Sequence, residues 1–386
     1  MPEFPRTAPS LERIEGQVYS KLAHRLENLR GEVYPFHVGD TWREPPEGCR
    51  MENLTVAEYP GMHRYTSPHG MPALLDALVE RTRARTGVAT ERENLLITAG
   101  ATGGLGAVAG AIVAPGDEVL ILAPHWPLIG GIVSSFHGRP IAVPFLDLMN
   151  GAAAPEEVTA RLDAYAGERA IALYLSTPNN PSGRILPART LETLVEWASR
   201  RDLWILADEV YEDVEFGGNH VWTRPLAPER TFAAHSFSKA YGMAGNRCGY
   251  VVGPRQVMGE LRKVSTHTFY STPTAAQIAA LRALGAAGDR WLVEARAEYA
   301  EIAAAAARRL GLPAPEGSTF LFFDVASHLD GRALEGLLAD LADQGLLLAP
   351  GPSFGPYPTH VRLCYTATAP DVTRRGVEIL AQHLGK

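Results

Sequence analysis

The sequence predicts an α/β fold: a mostly parallel sheet with helices on both faces, followed by a smaller α+β unit. Two observations carry this expectation. From Tyr65 to Val252, short apolar runs alternate with helix-length segments, and several of the runs lead straight into a polar or glycine-containing cluster. After a long helical stretch from Trp291 to Leu310 the alternation stops, and separate strands and helices take its place.

In chain order, Leu11, Ile14, Val18, Leu22, Leu26 and Leu29 recur at helical spacing over Ser10–Arg30, and Gly31 supplies a stop. Tyr34–Cys49 loses periodicity and gathers Gly39, Asp40, Trp42, Pro45, Pro46 and Gly48, which reads as a long loop of a kind that is often functional. Strands are expected at Asn94–Thr98, Glu118–Leu122, Ala170–Ser176, Leu203–Ala207, Thr231–His235 and Gly249–Val252. Further on, strands are expected at Phe320–Val325, Leu346–Leu348 and Val361–Cys364, with a helix near Leu334–Leu341 and another at the end. The N-terminal helix is expected to pack with this last part. That gives a large unit over 41–288 and a small one from 1–40 and 289–386.

Composition narrows the function. Among 386 residues, 46% are hydrophobic and 20% charged, which suits a globular chain with a sizeable core. A net charge of -7 offers no broad basic face, so no nucleic-acid partner is expected and small-molecule chemistry becomes the default. Cys49, Cys248 and Cys364 are scattered without CxxC spacing, which argues against a disulfide framework or a structural metal site. The most apolar stretch, Gly103 to Pro124, is broken by Pro115-Gly116-Asp117-Glu118, so no membrane span is expected. The opening MPEFPRTAPSLERIEG has no apolar core of signal-peptide length, which points to a cytoplasmic protein.

Parallel sheets gather ligands at the carboxyl ends of their strands. It is there that Gly100-Ala101-Thr102, Asn179-Asn180, Asp208 and Ser236-Phe237-Ser238-Lys239 fall. A nucleophilic lysine needs a site that lowers its pKa, and a strand-end loop of small hydroxyl residues around Lys239 permits one. Taken singly, each residue also has a plain reading. Lys239 could be a solvated surface residue, Asp208 a turn or cap, Asn180 an Asn-Pro turn and Thr102 a helix N-cap. Tyr211 and Trp126 could be core aromatics, and Arg362, in the strand-like His360-Val361-Arg362-Leu363-Cys364, a solvent-facing arginine.

The motifs Tyr65-Thr66-Ser67-Pro68-His69-Gly70, Thr98-Ala99-Gly100-Ala101-Thr102, Pro178-Asn179-Asn180-Pro181-Ser182-Gly183, Asp208-Glu209-Val210-Tyr211 and the lysine loop followed by Arg247 stand in an informative order. In that order and spacing the chain resembles the class I and II aminotransferases, pyridoxal-phosphate enzymes of fold type I. The resemblance implies a mostly parallel, seven-stranded sheet and pyridoxal 5'-phosphate held as a Schiff base on Lys239. It assigns Asp208 to the pyridine nitrogen, Tyr211 and Asn180 to the phenolate oxygen, and Trp126 to stacking on the ring. Gly100, Ala101, Thr102, Ser236, Ser238 and Arg247 would hold the phosphate. Tyr65 would reach the phosphate of the neighbouring subunit in a homodimer. Arg362, Asn180 and Gly39 would bind the substrate α-carboxylate, with Trp42 over the side chain.

The implied reaction moves an amino group between an L-amino acid and a 2-oxo acid by a ping-pong mechanism. A lyase of the same fold, eliminating a β- or γ-substituent, is the alternative. Two departures bear on the substrate. In many dicarboxylate-specific members an arginine from the neighbouring subunit, three residues before a Tyr-Ser-x-Pro segment, reads the side-chain carboxylate, and this chain has His267 there, before Tyr270-Ser271-Thr272-Pro273. Another subgroup places a lysine where Thr102 stands. Dicarboxylate specificity is therefore not expected, and a hydrophobic or aromatic amino acid is preferred.

Overall fold

Strands covered by helices on both faces must be apolar throughout, and the central runs of this chain are buried along nearly their whole length. The computed structural model describes residues 11, 12, 14, 22–150, 153–329 and 331–386. Its first part runs α1 (Pro72–Thr86), β1 (Leu95–Thr98), α2 (Gly100–Ile112), β2 (Glu118–Ala123), α3 (Leu128–Ser135), β3 (Arg139–Pro144), α4 (Pro155–Asp163), β4 (Ala170–Ser176), α5 (Ala188–Arg200) and β5 (Trp204–Asp208). There follow β6 (Thr231–Ser236), α6 (Phe237–Ala240), β7 (Gly249–Val252), α7 (Met258–Thr268) and α8 (Thr274–Ala283). The chain ends with α9 (Ala286–Arg309), β8 (Phe320–Asp324), α10 (Leu334–Ala342), β9 (Ala349–Pro350), β10 (His360–Cys364) and α11 (Pro370–His383).

The first seven strands form one sheet in the order β1-β7-β6-β5-β4-β2-β3. β7 alone runs against its neighbours, pairing antiparallel with both β1 and β6. Leu105 and Val108 of α2, Ile129 of α3 and Leu261 of α7 pack on one face, Val158 of α4 and Leu194 of α5 on the other. A second, antiparallel sheet has the order β8-β10-β9. Its core is continuous with that under α1 and α9, running from Leu74 and Tyr299 to Leu363 and Leu380.

A buried ionic knot joins the helices to the segment after β5. Asp213 receives Arg81 and Arg85 of α1, each at 2.5 Å, and its backbone carbonyl accepts a bond from Arg296 of α9 at 2.7 Å. Next to it Glu212 pairs with His235 of β6 at 3.0 Å. The knot braces the carboxyl ends of β5 and β6.

The structure corrects several expectations. Strand β3 escaped detection because Arg-Pro-Ile-Ala-Val-Pro begins exposed and carries two prolines, tolerable only because it lies at the sheet edge. Leu346–Leu348 is not a strand. Those leucines are buried core, with a single bridge from Leu346 to Tyr34, and pairing starts only at Ala349. The helix expected over Ser10–Arg30 falls partly outside the described residues, and its described end is a 3-10 helix over Ala23–Asn28. Arg25 there pairs with Asp343 beyond α10, at 2.9 Å. Among the described residues no helix is long and apolar enough to cross a membrane.

Candidate active site

An open-mouthed cleft of about 220 Å³ lies at the carboxyl ends of the strands. It gathers Gly39, Ala101, Thr102, Trp126, Asn180, Asp208, Tyr211, Ser236, Ser238, Lys239, Arg247 and Arg362, residues drawn from strand ends and loops scattered along the whole chain.

One end of the cleft is built for an anion. β1 ends at Thr98 and the chain turns at once into α2, whose first residues Ala101 and Thr102 line the cleft and offer unpaired backbone N–H groups. Ala99 rather than Thr102 is the N-cap, because the turn is made at Gly100 with φ +70°. Across from it, Ser236 ends β6 and caps α6: its hydroxyl accepts the Ser238 N–H at 3.0 Å and meets the Ser238 hydroxyl at 2.8 Å. This cap also corrects the setting of Lys239, which stands on a one-turn helix instead of an open loop. Arg247 donates to the carbonyls of Ala244 at 2.8 Å and Ala99 at 3.3 Å, holding its guanidinium at the start of α2.

Gly100 does not line the cleft but makes this end possible. A Cβ there would lie 2.6 Å from Nη2 of Arg247, in a backbone conformation that side chains rarely adopt. Gly100→Ala is expected to lower stability by about 1–2 kcal/mol and anion affinity by about tenfold, through strain and displacement of Arg247. Thermal melting and phosphate titration of the purified variant check this, and wild-type values in both would refute it.

The middle of the cleft holds a buried carboxylate. Asp208 is almost wholly enclosed at the end of β5, and burial pushes its pKa up to about 6, with the Tyr174 hydrogen bond opposing. Tyr174 Oη donates to Oδ2 at 2.6 Å, while the Val210 N–H reaches Oδ1 only at 3.4 Å. No cationic side chain lies in ion-pair contact with Asp208 among the described residues. Tyr211 is buried with its ring edge-on to Phe320, and burial holds its phenol well above the ordinary value, so it stays a donor.

Lys239 donates to the Gly39 carbonyl and lies 4.0 Å from Oδ1 of Asp40. Burial lowers its ammonium pKa, with Asp40 working the other way. At the far end Arg362 of β10 is 2% exposed. It donates to Asn180 Oδ1 at 3.1 Å and to the His37 carbonyl at 2.7 Å. Its guanidinium lies 4.3 Å from the ring centre of Phe320 and 4.7 Å from that of Phe354, which fixes its plane.

Trp42, expected over the substrate side chain, lies outside this cleft, and so does Tyr65, whose expected place is the neighbouring subunit's phosphate. Trp42 is 39% exposed in a surface groove with Arg43, Pro45 and Trp291. Tyr65 is 88% exposed, its ring 5.0 Å from that of Tyr270, in another surface groove. The sequence reading missed Leu105, Leu128, Val210 and Ala244 in the lining, and Tyr174 behind it. Leu105 was recoverable, since it follows Thr102 by three residues and shares its helix face. Tyr174 had one signal, a phenol inside a buried strand that is otherwise aliphatic up to its final Ser176.

Residues 32–383 match the family model described as aminotransferase class I and II. An aspartate/prephenate aminotransferase of Thermus thermophilus is 33% identical over 341 residues, 84% of each chain. An arginine–pyruvate transaminase of Pseudomonas aeruginosa is 32% identical over 312 residues, 78% of each chain. Among solved structures, a single mutant of Thermus thermophilus aspartate aminotransferase has a TM-score of 0.87 at 27% identity, covering 98% of this chain and 100% of the other. A tetra mutant of that enzyme complexed with tryptophan has a TM-score of 0.88 at 28% identity, with the same coverage.

Proposed function

The chain belongs to the class I and II aminotransferases, pyridoxal-phosphate enzymes that exchange amino groups between amino acids and 2-oxo acids, and from that membership we propose that it acts on amino acids with apolar or aromatic side chains. The single observation that carries the preference is the cleft lining, to which Leu105, Leu128, Val210 and Trp126 supply hydrocarbon. Thr102 stands where a second cation would be wanted for a side-chain carboxylate, and so does His267.

The cleft fits the cofactor. Asp208 is a buried carboxylate without an ion-pair partner among the described residues, and a protonated ring nitrogen would supply one. The start of α2, Ser236, Ser238 and Arg247 present N–H, hydroxyl and guanidinium donors suited to a phosphate. When bound, pyridoxal phosphate supplies an electrophilic carbon for the amino group and a ring that withdraws electrons from the substrate α-carbon. Tyr211 and Asn180 would donate to the ring oxygen, and Trp126 would cover the ring face.

Arg362 does the orienting. Its braced fork receives the substrate α-carboxylate in two parallel hydrogen bonds, with the Gly39 backbone alongside. With the carboxylate held at that end, the α-C–H bond is turned toward Lys239. Lys239, its pKa lowered by burial and its amine freed when the substrate amine takes its place on the cofactor, would take the α-proton and deliver it to the cofactor's former carbonyl carbon. A second half-reaction with a 2-oxo acid runs the steps backwards, giving ping-pong kinetics.

Tyr65 belongs to this reading as a residue given to the partner's phosphate in a homodimer, and its 88% exposure in the single chain supports that. The two separate sheets support a large unit over 41–288 and a small one from 1–40 and 289–386.

The test is a spectral scan of cofactor-loaded protein against single amino acids. Leucine, phenylalanine or tyrosine should convert the bound cofactor to its amine form, and a 2-oxo acid should restore it. Faster conversion by aspartate would overturn the preference. Release of ammonia with a 2-oxo acid, and no restoration, would move the assignment to the eliminating lyase.

A further inference from the structure

We propose that Tyr174 is a positioning residue of this site: its phenol holds one oxygen of Asp208 and thereby aims the rest of the carboxylate at the cofactor's ring nitrogen. The inference rests on the reading of Asp208 as the partner of that nitrogen.

Tyr174 and Asp208 sit on adjacent parallel strands. In register, Tyr174 of β4 faces Leu206 of β5, and Ser176 faces Asp208. The two side chains therefore project from the same face, and the length of the phenol spans the two-residue offset along the strands. The resulting bond, from Oη to Oδ2 at 2.6 Å, has the length of a charge-assisted O–H···O⁻ contact. Its ring lies in a cluster of aliphatic residues that includes Ile121, Leu206 and Val251, and the Ser176 hydroxyl, opposite Asp208, is a second polar neighbour of the phenol. A carboxylate oxygen is a stronger acceptor than a neutral serine hydroxyl, so the phenol proton goes to Asp208.

This bond has a consequence for the carboxylate. Its one other bond among the described residues, from the Val210 N–H at 3.4 Å, is too long to set its rotation. Tyr174 thus fixes the plane of the group and satisfies one oxygen. It also favours the ionised form against burial, which otherwise pushes the acid toward neutrality. An ionised, oriented carboxylate pairs with a protonated ring nitrogen, and a rotating or neutral one does so poorly. Tyr174 touches neither substrate nor reacting carbon and acts through Asp208.

A buried tyrosine that merely finds an acceptor would give the same distance, so the test must separate stability from recognition. Apo-protein is titrated with pyridoxal phosphate and with its analogue carrying CH in place of the ring nitrogen. Wild-type protein should favour pyridoxal phosphate. Tyr174→Phe should lose about tenfold for pyridoxal phosphate, a factor worth about 1.4 kcal/mol, and little for the analogue. KM for the amino donor in the loaded enzyme should stay at its wild-type value while kcat falls.

Equal losses for the two ligands, or none, would overturn the proposal and leave Tyr174 a packing residue. A wild-type protein that cannot tell the ligands apart would instead sink the reading of Asp208 itself. Should Tyr174→Phe fail to fold, 3-fluorotyrosine placed at position 174 keeps the shape. Its fluorine resonance should then move more on binding pyridoxal phosphate than on binding the analogue, and equal shifts would reject the role.

Discussion

Replacing Lys239 with alanine is expected to cut turnover by roughly 10⁴-fold or more and to remove the borohydride-fixable link between chain and cofactor. The melting temperature should change little. Lys239 stands on the one-turn helix α6, with its amine in the cleft and its hydrogen bond to Gly39 as the main polar tie. Nothing in the core depends on that amine. The proposed mechanism concentrates two roles in it, nucleophile for the cofactor's carbonyl carbon and base for the substrate α-proton.

Lys239→Arg separates these roles from simple charge, because guanidinium keeps the positive charge but cannot give up a proton in this range. The arginine variant should be as inactive as the alanine one. An alanine variant that retains the fixable link, or wild-type turnover, would refute the assignment. A low rate that external methylamine restores would support the base role specifically.

The parts of this molecule that were legible in its sequence are those where one local cause acts alone. β4 and β7 were bounded correctly because each is a short apolar run with its stop residues on either side. Arg362 was legible only through its motif. By strand alternation it reads as solvent-facing, and two phenylalanines and the His37 carbonyl, all distant in sequence, decide otherwise. β3 was illegible because an edge strand needs no apolar run. Tyr174 was illegible as a site residue because its value lies in a register between two strands, which no spacing along one strand records. Trp42 shows the converse limit: its loop was legible in the sequence, but where that loop sets the ring was not.

Arg362→Leu is expected to lower kcat/KM for amino acids by roughly 10²- to 10³-fold, chiefly through KM. A charged fork in a nearly water-free setting binds a carboxylate strongly because neither partner is screened. Removing it leaves the incoming carboxylate, together with Asn180 and the His37 carbonyl, facing leucine. Arg362→Lys should recover only a small part of the loss: the ammonium keeps the charge but cannot reach Asn180, His37 and two carboxylate oxygens from one plane. Cofactor binding should be nearly unchanged, since the phosphate end is built from α2, Ser236, Ser238 and Arg247. The sharpest check is a primary amine that lacks the α-carboxylate. The rate with that amine should fall far less than the rate with the parent amino acid, so the ratio between the two substrates collapses in the variant. Proportional losses for both would mean that Arg362 supports the fold of the cleft, and the carboxylate would need another partner.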